Sequence, residues 1–202
     1  GTRGSTESIT DLTKNSSITP VNFLYEEEKF KFNGSSSYLD LSADLDVSQP
    51  TAGWTTEFWV STPTPGTLMA LHSADADNFS ANWLSIHLGK MAMWNYNPGY
   101  WKYGSTVFEA NKMYQIVYVS DQGGTNMRFY VNGTPEGGDH VGNVWSPAYS
   151  NLKTRYIGQY RYIGASSRFF NGEIPLIKIY NRSLSDYEVL QNFEANRGRF
   201  GL

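Results

Sequence analysis

The C-terminal stretch Phe169–Leu202 constrains the fold most, because it reads as a strand, a sharp turn and a helix in consecutive order. Its first part, Ile174–Tyr180, is rich in β-branched and aromatic residues and follows Gly172, which together predict a β-strand. Pro175 has no backbone N–H to donate, so the pattern predicts a bulge or an edge position at that residue. A strand needs partners, and the upstream sequence is therefore expected to be sheet.

A short amphipathic helix is expected directly after that strand. Ser185 and Glu188 have the spacing of a capping box, in which the serine oxygen accepts a helix N–H and the glutamate reaches back to the cap. Gly198 is a natural stop for the helix. The apolar residues that would hold the helix against the sheet are Leu184, Val189, Leu190 and Phe193. We therefore expect the helix to cover the sheet as a lid.

Upstream, short runs of β-branched and aromatic residues recur with turn residues between them, which is typical of an antiparallel sheet protein. The runs are Phe23–Leu41, expected to hold two strands, Trp54–Val60, Leu68–His72, Trp83–Leu88, Met91–Trp94, Met113–Val119, Met127–Val131 and Tyr156–Gly158. Turns are predicted at Gly89–Lys90, Gly123–Gly124 and Asn132–Gly133. We predict an all-β fold, an antiparallel β-sandwich of jelly-roll type with one short C-terminal helix, in which Trp54–Val60 is central.

Length, charge and cysteine content restrict the number of domains, the partners and the chemistry that the chain can have. The 202 residues fit one large domain, placed at residues 21–202 after an extended N-terminal arm or linker at residues 1–20. The net charge of −3 argues against nucleic acid as a partner, and no apolar run approaches the roughly 18 residues of a membrane span. The absence of cysteine excludes disulfides and thiol chemistry. Because the chain starts at Gly1, without methionine or an apolar signal region, we expect a processed product, a piece of a longer polypeptide or a deliberately trimmed chain.

Three segments, in order along the chain, resemble one protein family. They are the segment Phe32–Leu41, the segment Phe129–Gly133 and the run Phe170–Glu188. They are similar to the early strand pair, the central hairpin and the C-terminal signature of laminin-G-like and pentraxin-like domains of the concanavalin A-like lectin/glucanase superfamily. Ile9–Asn15 resembles the lead-in found before such domains in bacteriophage and marine virus structural proteins. The resemblance implies a concanavalin A-like sandwich with a recognition role, although the chain lacks the disulfide that these domains commonly carry.

The pattern that a glucanase of this superfamily needs does not occur in the sequence. Such enzymes place carboxylates at alternate positions of one strand, so that an acid and a nucleophile flank the glycosidic bond. No E-x-D-x-x-E run occurs, and the contiguous Glu26–Glu28 side chains point to opposite faces of a strand. His72, His87 and His140 are scattered, and the first two lie in strand runs, where hydrogen-bonded structural roles are expected. We therefore predict no enzyme activity and no catalytic residue.

Calcium is the cation that the resembled families often use. Asp75, Asp77 and Asn78 form a D-x-D-N cluster between two strands, and Asp44 and Asp46 follow another. Several oxygens at a turn suit a hard cation, but Asp and Asn are also common turn residues, and neither cluster has a full set of ligands. We therefore predict no cofactor and no metal site, with calcium binding kept as the alternative.

The most suggestive surface is the segment Trp94–Tyr103, in which large aromatic residues are interrupted by turn formers. Sugars have apolar C–H faces and rings of hydroxyls, so sites for them combine flat aromatic side chains with amides and carboxylates. The candidate ligand-binding residues are Trp94, Tyr96, Tyr100, Trp101 and Tyr103, with Tyr149, Tyr160, Arg161 and Tyr162 as an extension. Two other roles stay open for these rings: closing the end of the core, or packing against another subunit of an oligomer.

These observations lead to two expected functions. The first is a non-catalytic domain of a virion surface or appendage that attaches to glycans or to other virion subunits, and that can form a homo-oligomer. The second is a secreted or cell-surface carbohydrate-binding module unrelated to a virus. Both place the protein on a virion surface or outside the cell, with no membrane insertion. The loop Thr134–Ser150, which holds Trp145, is long enough to take part in either function.

Overall fold

A computed structural model describes residues 9–10, 17–22, 24–26, 29–46, 53–73, 75–76, 83–95, 100–121, 127–137, 153–162 and 165–202. The strands are β1 Ile9–Thr10, β2 Ser17–Val21, β3 Leu24–Glu26, β4 Lys29–Asn33, β5 Tyr38–Asp46, β6 Trp54–Ser61, β7 Met69–Ser73, β8 Asp75–Ala76, β9 Trp83–His87, β10 Lys90–Asn95, β11 Tyr100–Tyr103, β12 Tyr114–Ser120, β13 Met127–Val131, β14 Thr134–Pro135, β15 Lys153–Ile157, β16 Tyr160–Tyr162, β17 Ala165–Ser167 and β18 Asn171–Tyr180. The helix α1 spans Asp186–Arg197, and a single 3-10 turn follows at Gly198–Phe200.

The strands form two large antiparallel sheets, which confirms the predicted sandwich. Sheet A has the order β1-β2-β5-β15-β7-β9-β10-β11, and sheet B has the order β14-β13-β12-β6-β18-β4-β3. A small third sheet, β17-β16-β8, contains a parallel pair. The predicted central run Trp54–Val60 is confirmed, because β6 lies in the middle of sheet B between β12 and β18.

The core lies between the two sheets and follows the period-two alternation of the strands. In β6, Trp54, Phe58 and Val60 are buried in this core, whereas Glu57 and Trp59 point to the outer face of sheet B. Side chains of this size contribute about 1.5–3 kcal/mol each when they are fully buried. The alternation therefore fixes the register of each strand, since a slip by one residue would exchange the core face for the outer face.

The predicted bulge at Pro175 is confirmed, and its position is interior. The register of β18 against β6 shifts between Glu173 and Leu176, so Pro175 lies where the ladder needs no N–H donor. Gly172 has φ of 140°, and a Cβ there would lie 2.1 Å from the carbonyl oxygen of Ser61. Only glycine allows β18 to pass this close to β6.

Helix α1 begins as predicted and covers the outer face of sheet B. The capping box of Ser185 and Glu188 is formed on both sides. Leu184 and Val189 are buried in a second apolar cluster together with side chains of β12 and β13. The prediction for Leu190 is only partly right, because 43% of this residue is exposed beside the buried stripe.

Glu57 ties α1 to the sheet. Its buried carboxylate accepts hydrogen bonds from Trp59 Nε1 at 3.0 Å, Gln115 Nε2 at 3.1 Å and Asn192 Nδ2 of the helix at 2.9 Å. Lys178 Nζ lies 3.5 Å from the same carboxylate and supplies the countercharge. A buried carboxylate is tolerated when it is paired and hydrogen-bonded in this way.

Two local predictions need correction, and a third, the stop of α1, is confirmed. The hairpin between β9 and β10 turns at Leu88 and Gly89, both with positive φ, and not at Gly89–Lys90. Gly198 caps the C-terminus of α1 as predicted, in a right-handed conformation, and the left-handed residue after the following 3-10 turn is Gly201. The run Phe23–Leu41 holds β3, β4 and the start of β5, one strand more than expected.

Other predicted turns and boundaries have mixed outcomes. Asn132 and Gly133 form the predicted turn with positive φ, while Gly123–Gly124 lies outside the described residues. The start of the predicted loop Thr134–Ser150 forms β14, and residues 138–152 lie outside the described part. The arm expected at residues 1–20 stays a prediction, and its segments β1 and β2 pair along the outer end of sheet A.

Candidate functional site

The candidate site lies on the outer face of sheet A, at the end formed by β9, β10 and β11. Met91 and Met93 are buried in the core, so the alternate residues of β10 point outward. Trp94 is paired with Trp101 of β11. The same alternation places the neighbouring histidine of β9 outward, because its predecessors Leu84 and Ile86 are core residues.

Four outward side chains form what we call the aromatic platform: His87, Trp94, Trp101 and Tyr103. The ring centroids of Trp94 and Trp101 are 5.2 Å apart, and those of Trp101 and Tyr103 are 6.1 Å apart with an interplanar angle of 28°. His87 lies 4.5 Å from Trp101 and 5.7 Å from Tyr103. All four residues are half-buried, so they present ring surface to solvent from a packed cluster.

Hydrogen bonding orients the histidine of the aromatic platform. The hydroxyl of Tyr103 lies 2.9 Å from His87 Nδ1. Partial burial, and then the positive charge of Arg168, hold the pKa of His87 below its ordinary value, while burial raises the pKa of Tyr103. The imidazole is therefore neutral at pH 7 and the phenol is protonated. With Tyr103 as the donor, the proton of the ring lies on Nε2, where it is a hydrogen-bond donor.

Strand β11, at the edge of sheet A, is anchored to the rest of the sandwich at two points. Lys102, between the two platform residues of β11, points into the core and donates from Nζ to the carbonyl of Met127 at 2.8 Å. Directly after the strand, the Glu136 carboxylate accepts from the backbone N–H of Ser105 at 2.6 Å and of Thr106 at 2.7 Å. These contacts keep an edge strand in place and hold its outward rings in a fixed geometry.

Arg168 is a basic residue beside strand β7 of sheet A, two strands from the β10–β11 hairpin of the aromatic platform. The carbonyl of Arg168 accepts a hydrogen bond from Ala70 N–H of β7 at 2.8 Å, so its backbone lies beside that strand. The guanidinium is 4.9 Å from the ring centroid of Tyr160. Arg168 is exposed and has φ of 51°, a left-handed conformation that is uncommon outside glycine, asparagine and aspartate.

The comparison with protein families decides the classification. The family model Laminin_G_3, described as the concanavalin A-like lectin/glucanases superfamily, matches residues 33–190. The chain belongs to this superfamily. No curated protein matches the chain.

Several solved structures have a similar fold. Domain 4 of AbnA, an extracellular arabinanase of Geobacillus stearothermophilus in complex with arabinotriose, is 17% identical with a TM-score of 0.64, and 90% of each chain is covered. The carbohydrate-binding domain CBM40 of the Ruminococcus gnavus IT-sialidase, bound to α2,3 sialyllactose, is 14% identical with a TM-score of 0.56, covering 70% of this chain and 83% of that one. A native heptameric SAP-like pentraxin of Limulus polyphemus is 20% identical with a TM-score of 0.58, covering 80% and 79%. At these identities the likeness concerns the fold.

Within this superfamily domain, the structure brings together only part of the predicted ligand-binding set. Trp94, Trp101 and Tyr103 lie in one cluster on the outer face. Tyr100 starts β11 with a side chain outside the described part, and Tyr96 lies outside the described residues altogether. Of the predicted extension, Tyr160 lies beside Arg168, the side chains of Arg161 and Tyr162 are outside the described part, and Tyr149 is outside the described residues.

Sequence reasoning missed two residues of the site. His87 was expected to be structural, but it belongs to the aromatic platform, and the alternation of core residues in β9 was the signal for its outward direction. Arg168 carried no local signal in the sequence, because its position beside sheet A depends on the hydrogen bond between its carbonyl and Ala70 of β7. His72 is buried as expected, but its ring nitrogens have no hydrogen-bond partner among the described residues, so the expectation of a hydrogen-bonded histidine is wrong there.

The calcium alternative stays a prediction. No group of three His, Asp or Glu side chains in the described part of the chain could hold a metal ion. Asp77 and Asn78 are outside the described residues, and the side chains of Asp44, Asp46 and Asp75 are outside the described part.

No helix among the residues placed by the structure has the length and apolar character needed to cross a membrane.

Proposed function

We propose that the protein is a non-catalytic glycan-binding domain of lectin type, and that the sugar binds on the aromatic platform. The observation that carries this proposal is the cluster of half-exposed rings around Trp101 on an anchored edge of sheet A. The flat rings suit the C–H face of a pyranose or furanose, and the neutral imidazole of His87 supplies a donor for a hydroxyl. Two solved structures of similar fold are complexes with saccharides, which supports this choice of ligand.

A glycan array followed by titration calorimetry tests the proposal. The wild-type protein is expected to bind at least one class of saccharide, and Trp101→Ala is expected to weaken that binding at least about tenfold, as for an aromatic residue central to an interface. Tyr187→Ala is the matched control, since Tyr187 is an aromatic residue that is 67% exposed and belongs to α1, the helix on the outer face of sheet B. Absence of binding on the array, or equal affinity of wild type and Trp101→Ala, would contradict the proposal.

The finer part of the proposal concerns where the domain works. We infer attachment to a virion surface or appendage, to glycans or to other virion subunits, with a secreted or cell-surface carbohydrate-binding module as the alternative. The support is the resemblance of Ile9–Asn15 to lead-in segments of viral structural proteins. Mass spectrometry of the parent particle tests the location. Light scattering of wild type and Trp101→Ala tests whether the aromatic platform is a subunit interface, in which case the substitution would reduce the molar mass.

A further inference from the structure

The end of the sandwich at which β9 turns into β10 exposes two aliphatic side chains. Leu88 is 65% exposed and Val107 is 64% exposed. They lie on the same surface, because a Cβ on Gly89, the residue after Leu88, would be 3.7 Å from Val107 Cγ1. We call these two residues the apolar tip. The apolar tip adjoins the aromatic platform, since Leu88 directly follows His87 in the chain.

The conformation of Leu88 does not favour folding. Leu88 has φ of 53° and Gly89 has φ of 73°, so both residues of the two-residue turn are left-handed. Turns of this kind prefer asparagine followed by glycine. Leucine in the first position is sterically strained, and here it also leaves apolar surface in water. A strained and exposed leucine points to a contact outside the chain.

The backbone at the apolar tip is hydrogen-bonded within the protein. Gly89 donates its N–H to the carbonyl of Pro65 at 2.9 Å, and its own carbonyl accepts from the N–H of Phe108 at 2.6 Å. The N–H of Gly104 donates to the carbonyl of Met91 at 3.0 Å. Backbone groups that already have partners need no water, and this is the condition that hydrocarbon imposes on a polypeptide.

The charged side chains beside the apolar tip are compatible with a lipid surface. Glu109, two residues after Val107, forms an ion pair with Lys112 at 2.9 Å. Lys90 follows Gly89, and an ammonium at this height suits the phosphate groups of a bilayer. Trp and Tyr rings prefer the level of the lipid head groups, where one part of the ring is wet and another is not. The rings of the aromatic platform lie directly behind the apolar tip.

The area of the apolar tip distinguishes between a protein and a lipid as its partner. A stable protein–protein interface buries about 800 Å² on each side, far more than two aliphatic side chains supply. Hydrocarbon needs no complementary shape, and each aliphatic side chain that enters it strengthens binding about ten- to hundredfold. The partner that fits two protruding side chains is therefore a lipid bilayer.

We propose that the apolar tip is a membrane-contact site, at which Leu88 and Val107 enter the edge of the hydrocarbon of a bilayer. The contact is peripheral and involves these two side chains. It holds the aromatic platform at the level of the head groups, next to saccharides that are attached to lipids. That last consequence rests on the proposed glycan-binding function, whereas the lipid contact itself does not.

Sedimentation with phosphatidylcholine vesicles tests the lipid contact. The wild-type protein is expected to be half bound at about 1 mM lipid, and Leu88→Asn is expected to weaken this binding at least about tenfold. The same substitution should raise the melting temperature by about 2–4 °C, because asparagine tolerates the left-handed turn. Weaker binding by a more stable variant cannot be explained by loss of folding. Tyr187→Asn, on the exposed side of α1, is the matched control and should leave vesicle binding unchanged.

A fluorescent label gives a second readout. The chain has no cysteine, so Val107→Cys carries a single thiol that can be coupled to an environment-sensitive nitrobenzoxadiazole fluorophore. Its emission is expected to rise and shift to the blue on phosphatidylcholine vesicles, and to be quenched by doxyl groups in the acyl chains. The same label on Tyr187→Cys should show neither effect.

Each outcome supports or overturns the membrane-contact site. Vesicle binding that falls in Leu88→Asn, together with quenching of the label at position 107, supports it. Absence of binding up to about 10 mM lipid, or equal binding by wild type and Leu88→Asn, overturns it. A lower molar mass of Leu88→Asn in light scattering would show that the apolar tip is a subunit interface, and would also overturn it. Phosphatidylcholine carries no sugar, so failure here leaves the glycan-binding function intact, and failure of the glycan array leaves the lipid contact intact.

Discussion

Replacement of His72 by phenylalanine is expected to remove a large part of the acid sensitivity of the fold. His72 is fully buried and meets the ring of Trp54 edge-on at 6.4 Å. Burial lowers the pKa of His72 from 6.5 to about 3. The unfolded chain, in which this histidine has its ordinary pKa, therefore binds more protons than the native state between pH 6.5 and pH 3. Its contribution to the free energy of unfolding is complete above pH 6.5 and is lost progressively as the pH falls.

The magnitude follows from the difference between the two pKa values. Proton uptake by His72 in the unfolded chain lowers the free energy of unfolding by about 2 kcal/mol at pH 5 and by about 3 kcal/mol at pH 4. These amounts are a large fraction of the stability of an ordinary domain. The phenylalanine keeps the aromatic contact with Trp54 and removes the proton-binding group. It also removes two buried ring nitrogens that have no partner among the described residues, so no loss beyond about 1 kcal/mol is expected at pH 7.

Urea unfolding at pH 7 and at pH 5 measures the effect. Wild type is expected to lose about 2 kcal/mol more of its free energy of unfolding between the two pH values than His72→Phe loses. The pKa of His87 is also lowered by partial burial, but this residue is present in both proteins, so its contribution cancels. The m-values should match, which shows that both proteins unfold from comparable native states. Equal losses in the two proteins would refute the reasoning that the neutral, buried His72 is responsible for the loss of stability at low pH.

Substitutions at three further positions test the contacts that hold the sandwich. Glu57→Leu is expected to lower the free energy of unfolding in urea by about 3–5 kcal/mol, because it leaves buried donors unpaired. Glu57→Gln keeps an acceptor and should cost clearly less. Equal costs for the two substitutions would contradict a role for hydrogen bonding by the residue 57 side chain. Ser185→Ala should lower the free energy of unfolding by about 1 kcal/mol by removing the helix cap, and an unchanged value would show that the capping box is dispensable. Gly172→Ala should cost at least about 2 kcal/mol in thermal or urea unfolding because its Cβ meets the backbone of Ser61, and a neutral result would mean that β18 can shift away from β6.

The elements found correctly from the sequence are those in which local propensity and tertiary packing agree. The strand β13 combines buried residues at every second position with an asparagine-glycine turn, and both signals act within a few residues. The capping box of α1 is likewise local. The hairpin turn between β9 and β10 was misplaced by one residue, because leucine rarely has positive φ, and Leu88 adopts it under the pairing of its two strands.

The candidate site could be predicted only in part, because its residues come from distant segments. The aromatic residues of β10 and β11 are close in sequence and stand out by type. The position of Arg168 beside β7 depends on a hydrogen bond between distant segments, and the order of strands in sheet A is a tertiary property that no local pattern encodes. His87 shows the intermediate case: the alternation of core residues gives the direction of its side chain, but its place in a strand run suggested a structural role and not a place on the aromatic platform.

Helix α1 makes the two outer faces of the sandwich unequal, and this has a practical value. The chain contains no cysteine, so a thiol introduced at the exposed Tyr187 would be unique in the molecule. Coupling through that thiol would attach the domain to a sensor chip or a bead by its helix side. Every molecule on the chip would then point sheet A toward the solution, which gives weak saccharide ligands a uniformly oriented layer to bind.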